Sequence, residues 1–344
     1  MSTPGTVVGH SINGQRKFVA KGFRSALDES EPLEMQVDTG FDLASLTKIV
    51  ATTASIMELV AENHMNIDDR VATFLPLWGS SEKNEITVRH LLTHRSGLAE
   101  WRPLYISAAE ADQAHELIAT TPLSYGIDQE RHYSDLGFIT LGRVITAITQ
   151  VSLLESFQKL SFDNAAFNST QFSVPKDISN VAATSRGDRF EKNMIQSQTP
   201  YSVVEKAEDF KNWRTNILSG EVNDGNAFHL FKGTSSHAGL FSNAEDLLLF
   251  GESFLENPQL SGFIADTSDT DFHCGFRSWV DTFGTCTTRF YGHTGFTGVV
   301  LAFSPQHSSV ITVLSNRLHT DGEFLTTESI FLPYLKDFHA QLHA

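Results

Sequence analysis

The chain has 344 residues, of which 40% are hydrophobic and 19% are charged, and its formal net charge is −16. This composition is typical of a globular protein with a buried core and excludes a disordered chain. The negative charge argues against unaided binding to nucleic acid or to an anionic membrane, because both would repel it. The two cysteines, Cys274 and Cys286, are too few for a disulfide framework, so we expect free thiols.

Neither a signal peptide nor a membrane-spanning helix is predicted. The N-terminus lacks a basic start followed by an apolar run, and no stretch approaches roughly 18 consecutive apolar residues. We therefore expect a cytoplasmic location without membrane insertion. A periplasmic or secreted protein, whose signal peptide is missing from this sequence, is the alternative. No pattern indicates an oligomeric state.

The first predicted element is a β-hairpin. Asn13-Gly14, a turn signal that tolerates positive φ at both positions, separates the strand patterns "TVVGHSI" and "QRKFVAKGF". A long helical pattern begins at Ser45, after which apolar residues recur at helical spacing. Residues 87–170 are predicted to be mostly helical, and a further helix is predicted around Val203–Trp213.

The last part of the chain returns to strand patterns. Short segments rich in Val, Phe and Thr are separated by turn residues, and a helix over roughly Thr327–Leu342 closes the chain. Strands at both ends predict an α/β (α+β) fold with one antiparallel sheet built from both termini and flanked by helices. We expect residues 1–66 and 240–344 to form this sheet domain, and residues 67–239 to form a mostly helical inserted subdomain.

Ser45 and Lys48 have the spacing of a serine that is activated by a neighbouring amine. The Ser-x-x-Lys pairs of the chain are Ser45/Lys48, Ser80/Lys83, Ser156/Lys159 and Ser173/Lys176. Only Ser45 stands at the start of a long apolar helix, where its hydroxyl meets the positive end of the dipole and Lys48 lies one turn away. An amine in an apolar wall loses hydration, so its pKa falls and it can act as a base. The alternative is a serine near a helix N-cap beside a solvated lysine.

Two further motifs strengthen the catalytic interpretation. Tyr133-Ser134-Asp135 lies just before a predicted helix, and a tyrosine hydroxyl near a lysine can relay a proton to a leaving group. His293-Thr294-Gly295 lies on a predicted strand, where glycine lets a substrate approach and a backbone N–H can bind a developing oxyanion. The structural alternatives are a core tyrosine and a glycine-marked edge strand.

Taken together and in this order, the three motifs resemble those of the serine β-lactamase and penicillin-binding-protein superfamily. The resemblance is greatest to its branch of class C β-lactamases, D-aminopeptidases and related esterases. The segment "GEVNDGNAFHLFKGTSSHAGLFS" is similar to a bacterial subgroup linked to cell-wall turnover that includes muramyl-peptide amidases. The resemblance covers nearly the whole chain and implies a β-lactamase/transpeptidase-like fold.

The resemblance also implies a role for each motif residue, and no cofactor or metal. Ser45 would attack the scissile carbonyl and form an acyl-enzyme, Lys48 would accept its proton, and Tyr133 would protonate the leaving group. The backbone N–H groups of Ser45 and Phe296 would form the oxyanion hole, and water would release the product. The other residues expected at the oxyanion or substrate site are Asp135, His237, His293, Thr294 and Gly295.

Two residues depart from the β-lactamase pattern. His293 replaces a lysine that grips a substrate carboxylate, and a mostly neutral imidazole argues against good β-lactam hydrolysis. Asp135 replaces a common asparagine, and an ionised carboxylate cannot donate a hydrogen bond. It can instead pair with Lys48 and raise the pKa of the amine, in which case Tyr133 would be the base. Both assignments of the base stay open at this point.

Other polar residues are weaker candidates. His90 and His94 have the i, i+4 spacing of a metal pair but no evident third ligand, so a structural role is favoured. His237, Asp224 and Asn226 are predicted on a loop over the pocket, either as substrate contacts or as loop scaffolding.

These motifs predict a serine hydrolase that acts through an acyl-serine intermediate on an ester, amide or D-residue-containing peptide bond. The expected partner is a small-molecule or peptide substrate, with a peptidoglycan-derived fragment as the first choice, and no nucleic acid. Esterase, D-aminopeptidase and carboxypeptidase activities all fall within this class. The alternatives are a true class C-like β-lactamase and a catalytically silent penicillin-binding-like protein that senses a ligand.

Overall fold

The computed structural model describes residues 3–80, 82–162, 167–173, 179–265 and 271–343. Its strands are β1 (Gly5–Ile12), β2 (Gln15–Ser25), β3 (Leu33–Glu34), β4 (Phe41–Asp42), β5 (Gln171–Phe172), β6 (Leu240–Ser242), β7 (Arg277–Phe283), β8 (Cys286–Gly295), β9 (Val299–Ser304) and β10 (Ser309–Ser315). Seven strands form one antiparallel sheet in the order β3-β2-β1-β10-β9-β8-β7. A small second sheet has the order β4-β6-β5.

The N-terminal hairpin has the turn that its sequence predicts. Asn13 and Gly14 both adopt positive φ, at 50° and 78°, which matches the twist of the flanking strands. β1 then pairs with β10, with Val8 opposite Val313, so the two ends of the chain meet in one sheet. The predicted antiparallel sheet built from both termini is therefore confirmed.

Helices cover both faces of the large sheet. They are α1 (Ala54–Ala61), α2 (Val71–Phe74), α3 (Val88–Leu92), α4 (Leu104–Ser107), α5 (Ala111–Thr120), α6 (Asp135–Thr149), α7 (Leu153–Leu160), α8 (Arg189–Ser197), α9 (Ala244–Glu256), α10 (Leu260–Phe263) and α11 (Thr327–Leu342). α9 shares a core with Leu301 and Phe303, and α11 shares another with Val300 and Ala302. Alternate residues of β9 thus enter different cores, because side chains alternate between the faces of a strand.

The predicted boundaries of the inserted subdomain, residues 67–239, stay a prediction.

One predicted helix is wrong. The segment Val203–Trp213 is irregular apart from a 3₁₀ turn at Ala207–Asp209, and the helix of this region is α8. Phe210 and Trp213 both pack edge-on against Tyr105, with ring centroids 4.8 and 6.1 Å away. Tertiary contacts with α4 therefore override the local helical pattern.

The helical run around the first Ser-x-x-Lys pair is present, but its first turns are not α-helical. Ala44–Leu46 forms a 3₁₀ turn and Lys48–Thr53 forms a π-helical segment before α1 begins. π-helical turns are often found at functional sites. The run Ala44–Ala61 is long and apolar enough to cross a membrane by length and composition, with a mean hydropathy of 1.3. Since 72% of it is buried inside the fold, it has the surroundings of a core helix.

Candidate active site

The side-chain amine of Lys48 joins the first two sequence motifs. Its Nζ donates to Ser45 Oγ at 2.9 Å and to the His237 carbonyl at 3.0 Å, and it forms an ion pair with the Asp135 carboxylate at 2.6 Å. The Lys48 side chain is fully buried, whereas Ser45 is half-buried. Three acceptors therefore surround the ammonium, and one of them is the predicted nucleophile.

The pairing with Asp135 decides the protonation state of Lys48. Burial alone would lower the pKa of the amine, but the charge of Asp135, followed by Tyr133, raises the pKa above its ordinary value. The expectation of a lowered pKa in an apolar wall is therefore wrong, and the structure shows the pairing with Asp135 instead. Lys48 rests as an ammonium, so a proton that leaves Ser45 needs a further acceptor.

Tyr133 lies against the same ammonium. Lys48 Nζ is 5.0 Å from the centroid of the Tyr133 ring. Burial raises the pKa of Tyr133, although the charge of Lys48 and the nearby Ser45 oppose the shift, so the side chain stays a phenol. Its hydroxyl is buried, and no well-aligned hydrogen bond joins it to another described residue. The Tyr133 hydroxyl therefore lies near Lys48 and Ser45 without a well-aligned partner among the described residues.

A strained turn presents the serine. Ala44 has a φ of 43°, in the left-handed region that a residue with a Cβ rarely adopts. The buried carboxylate of Asp42 holds this turn by accepting the Ala44 N–H at 2.8 Å, and it also accepts the Asn223 N–H at 2.6 Å. Asp42 thus ties the turn before Ser45 to the loop that carries Asp224. Its place three residues before the serine is the only signal of this role in the sequence, and none of the three motifs includes it.

Asp42 should make the folding stability depend on pH. Burial raises the pKa of its carboxyl to about 6 from 3.8, although two backbone N–H groups oppose the shift. The folded state binds this proton more tightly than the unfolded state, so stability falls as pH rises from about 4 to about 6. Relative to Asp42→Asn, we expect the free energy of unfolding to fall by about 3 kcal/mol over this window. Urea denaturation at a series of pH values measures the difference, and parallel curves for the two proteins would contradict it.

His94 contacts two residues of the second motif, Tyr133 and Ser134. Its imidazole is buried, its Nδ1 accepts the Ser134 N–H at 2.9 Å, and its ring centroid is 4.5 Å from that of Tyr133. Burial, followed by the charge of Lys48, holds its pKa well below the ordinary value, so the neutral ring carries its proton on Nε2. This geometry fits a structural role for His94. His90 forms part of the capping box of α3, so the two histidines do not act as a metal-binding pair here.

His94→Phe keeps an aromatic ring beside Tyr133 but removes the acceptor for the Ser134 N–H. We expect kcat to fall on the order of tenfold with little change in KM, because the Tyr133 hydroxyl loses its position while the substrate contacts remain. His94→Asn is the matched control, since its Oδ1 can accept the same N–H, and it should keep more of kcat. Steady-state kinetics tests both, with thermal melting to verify folding. Equal losses would show that this hydrogen bond does not position the tyrosine.

The third motif packs against Tyr133 through the His293 ring. His293 is buried, its ring centroid is 5.7 Å from that of Tyr133, and its Nδ1 is 2.7 Å from the Thr294 carbonyl. Burial lowers its pKa well below the ordinary value, so the ring is neutral and does not replace the charge of the family lysine. Gly295 is needed where β8 passes the serine turn, because a Cβ there would lie 2.5 Å from the Leu43 carbonyl oxygen.

Ser45 opens into a cavity of about 230 Å³, which Tyr133, Asp135 and Phe296 also line. Phe296 is 42% exposed at this cavity. Its other walls include aromatic, apolar and acidic side chains: Trp101, Phe190, Met194, Tyr201, Asp188, Glu191 and Asp224. A larger cavity of about 690 Å³ lies beside α6, and its lining includes none of the predicted site residues. The smaller cavity is therefore the candidate substrate site.

His237 and Asp224 form a hydrogen-bonded pair beside the lysine. His237 Nε2 is 3.0 Å from Asp224 Oδ1, and its Nδ1 is 2.8 Å from the Ser235 hydroxyl. Ligand atoms of Asp135, Asp224 and His237 lie within 4.8 Å of one another, close enough to surround a metal ion. Each group already has a partner, and the Lys48 ammonium already supplies positive charge to Asp135. This donor set therefore fits a metal poorly.

The remaining candidates are structural. Asn226 is fully buried, and its side chain bonds to backbone groups at the start of α4. Lys83 donates to carbonyls at the C-terminal end of α5, and Ser156 bonds to a carbonyl at the start of α7. Lys176 lies outside the described residues. Of the serines in these pairs whose side chains are described, only Ser45 lines the candidate cavity together with Tyr133 and Asp135.

Comparison with known sequences covers nearly the whole chain. A β-lactamase family model matches residues 1–332. The N-acetylmuramyl-L-alanine amidase of Bacillus subtilis (strain 168) is 31% identical, over 88% of this chain and 75% of that protein. A putative D-alanyl-D-alanine carboxypeptidase of Escherichia coli (strain K12) is 29% identical, over 88% of this chain and 74% of that protein.

Solved structures share the fold at lower identity. A class C β-lactamase from Rhodobacter sphaeroides matches with a TM-score of 0.70 at 20% identity, covering 99% of this chain and 95% of that chain. A D-stereospecific amidohydrolase from Streptomyces sp. matches with a TM-score of 0.66 at 16% identity, covering 91% and 89%. The predicted β-lactamase/transpeptidase-like fold and superfamily are confirmed. With relatives named as amidase and carboxypeptidase, the chain belongs to the β-lactamase family.

Proposed function

We propose that the chain is a serine amidohydrolase that cleaves an amide bond through an acyl-Ser45 intermediate. The observation that carries this proposal is the 2.9 Å hydrogen bond from Lys48 Nζ to Ser45 Oγ, beside a cavity that Tyr133 also lines. A serine hydroxyl in contact with an amine and close to a phenol has the partners that nucleophilic catalysis needs. The relative named as an amidase supports an amide as the target.

The ion pair between Lys48 and Asp135 offers a route for the serine proton. As Ser45 Oγ bonds to the substrate carbonyl carbon, its proton passes to Lys48 while Lys48 passes one to Asp135. Lys48 stays an ammonium, and Asp135 becomes a neutral acid. The backbone N–H groups of Ser45 and Phe296 bind the oxyanion, and losing one such donor typically weakens transition-state binding by about 3 kcal/mol.

Tyr133 completes the acylation step. Its hydroxyl protonates the leaving nitrogen as the C–N bond breaks, and its phenolate then recovers the proton from Asp135 through Lys48. One amide thus gives one acyl-enzyme and one amine, with no net change in the protons on the protein. Water then attacks the acyl carbonyl, one of its protons returns to Ser45 Oγ through the same groups, and the acid is released.

The cavity favours a substrate without a carboxylate next to the cleaved bond. Its described lining contains acidic side chains and no lysine or arginine. Arg277, which donates to the Thr294 hydroxyl at 2.8 Å, is not part of that lining and pairs with Glu328 at 3.1 Å. Burial, followed by the charge of Asp224, raises the pKa of Glu191, which is the direction expected where a negative charge is poorly solvated. β-Lactams and D-alanyl-D-alanine termini carry such a carboxylate, so a peptidoglycan-derived amide flanked by uncharged groups is the favoured substrate.

A substrate panel tests this function. The protein is incubated with N-acetylmuramyl-L-alanyl-D-isoglutamine, a D-alanyl-D-alanine peptide, a p-nitrophenyl ester and nitrocefin, and initial rates are measured. We expect kcat/KM for the muramyl amide to exceed that of the D-alanyl-D-alanine peptide and of nitrocefin by at least about tenfold, because the acidic cavity disfavours a carboxylate next to the cleaved bond and the carboxylate of the muramyl peptide lies one residue further away. Fast nitrocefin hydrolysis would replace the proposal with the β-lactamase alternative. No turnover of any substrate, without labelling of Ser45 by a fluorophosphonate, would favour the silent sensor.

A further inference from the structure

The turn between β8 and β9 carries one of the two proposed oxyanion-hole donors. It spans residues 295–298, and the Gly298 N–H donates to the Gly295 carbonyl at 3.0 Å, which closes a β-turn. Gly298 has a φ of 104°, a conformation that glycine adopts without strain. Phe296 is the first central residue of this turn, so the direction of its N–H depends on how firmly the turn is held.

Thr327, the first residue of α11, holds the peptide group that contains this N–H. Its buried hydroxyl donates to the Gly295 carbonyl at 3.2 Å. The Gly295 carbonyl and the Phe296 N–H belong to one planar trans peptide group, in which they point in opposite directions. A hydroxyl that fixes the carbonyl on one side therefore fixes the N–H on the other.

The same turn is tied to the segment that precedes the nucleophile. The buried Thr297 hydroxyl donates to the Asp42 carbonyl at 2.7 Å. The Asp42 carboxylate in turn accepts the Ala44 N–H at 2.8 Å, directly before Ser45. Both proposed donors, the N–H groups of Ser45 and Phe296, thus lie on segments that a side-chain hydrogen bond joins.

Arg317, beyond the end of β10, contacts the next peptide group of the turn. Its Nε donates to the Phe296 carbonyl at 2.8 Å, and its guanidinium carbon lies 5.1 Å from the centroid of the Phe296 ring. Gly298 leaves room for this contact, because a Cβ there would lie 2.8 Å from the Cγ of Arg317. The arginine therefore holds both the backbone and the side chain of Phe296.

The charge of Arg317 forms no ion pair with a carboxylate in the described part of the chain. The side chain is 7% exposed, and it donates to the Leu325 carbonyl at 2.7 Å, whereas Glu328 pairs with Arg277. Taking a cation out of water without a counter-charge is unfavourable, so stability alone does not favour an arginine here. Arg317 is not part of the described cavity lining, so it would act through the turn and not by touching the substrate.

We infer that Arg317 and Thr327 are positioning residues for the oxyanion hole, because together they hold the two peptide groups on either side of Phe296. The inference rests on the proposed function, in which the Phe296 N–H binds the oxyanion. Preorganised donors stabilise a transition state because they need not reorient when charge develops. Loss of either contact should therefore slow the reaction and leave substrate binding nearly unchanged.

Arg317→Met and Thr327→Val test this role, since each keeps an apolar side chain of similar size but removes the donors. With a p-nitrophenyl ester we expect kcat to fall about tenfold or more and KM to change by less than about twofold, because the oxyanion forms in both acylation and deacylation. Thr327→Ser keeps the hydroxyl and should retain most of the wild-type kcat. Arg24→Met is the second control, since Arg24 also donates to a carbonyl, that of Glu34 at 3.0 Å, which is not part of this turn.

Phenylboronic acid separates positioning from a general loss of structure. Its boron gains a bond to Ser45 Oγ, whose proton passes to Asp135 through Lys48, and the tetrahedral boronate places a negatively charged oxygen where the oxyanion forms. We expect its inhibition constant to rise about tenfold or more in Arg317→Met and Thr327→Val, in parallel with the loss of kcat. Thermal melting verifies that both variants fold.

Hydrogen–deuterium exchange of the full chain adds a measurement that does not depend on activity. Peptides that span residues 295–298 should exchange faster in both variants than in the wild type, because a turn with fewer contacts opens more often. Identical exchange in the wild type and both variants would overturn the inference, as would equal losses of kcat in Thr327→Val and Thr327→Ser. A wild type that neither cleaves the ester nor binds phenylboronic acid would refute the proposed hydrolase itself, and this inference with it, before any variant is compared.

Discussion

Ser45→Ala is expected to abolish amide hydrolysis, with kcat reduced on the order of 10⁴-fold or more. Without Oγ no acyl-enzyme can form, and the pair of Lys48 and Asp135 has no serine proton to accept. A fluorophosphonate probe should add once to the wild type and not to the variant, as measured by intact mass and peptide mapping. The fold should survive, because the half-buried serine loses only its hydroxyl group.

Ser329→Ala is the matched control for this experiment. Ser329 is exposed, and its hydroxyl bonds to the Thr326 carbonyl at the start of α11. It should keep the wild-type kcat and the wild-type labelling. Wild-type activity in Ser45→Ala, or a probe adduct on another residue, would rule out Ser45 as the nucleophile.

Lys48→Met should reduce both activity and stability. Without the ammonium, Ser45 loses its hydrogen-bond partner, and we expect kcat to fall about a thousandfold or more. The Asp135 carboxylate is 16% exposed and would lose its buried counter-charge. Breaking a buried ion pair by removing one partner destabilises a protein by about 3 kcal/mol or more, and the partial exposure of Asp135 places the expected loss near the lower figure. Parallel urea unfolding and kinetics measure the two effects.

The double variant Lys48→Met/Asp135→Asn separates these two effects. Asparagine carries no charge, so the double variant should regain most of the lost stability and stay inactive. The three variants form a double-mutant cycle, in which additive losses of stability would contradict the coupling of the pair. In Asp135→Asn alone, the pKa of Lys48 should fall because the carboxylate is gone, and the amine could then accept the Ser45 proton directly.

The base assignment that the sequence left open thus depends on one ion pair. An apolar wall would favour a neutral lysine, and a nearby carboxylate favours a charged one. The structure places the carboxylate 2.6 Å from the amine, so the charged form dominates. The proposed proton route through Asp135 rests on this distance and not on the motif.

Local patterns were sufficient for much of the fold. The turn at Asn13-Gly14, the helical run from Ser45 and the closing helix Thr327–Leu342 depend on residues a few positions apart, whose spacing can be read directly. The helix predicted at Val203–Trp213 was wrong, because aromatic side chains of this segment pack against Tyr105 of α4 instead of forming one helical face.

By itself the sequence determined the family, most of the order of the elements and the three motifs, because each is encoded in short-range spacing. Only the tertiary structure decided the charge state of Lys48, the support of the strained turn by Asp42 and the acidic walls of the cavity. These features depend on distances of a few ångströms between residues far apart in the chain. Burial and Coulomb energies change steeply over such distances, and the linear pattern of residues does not record them.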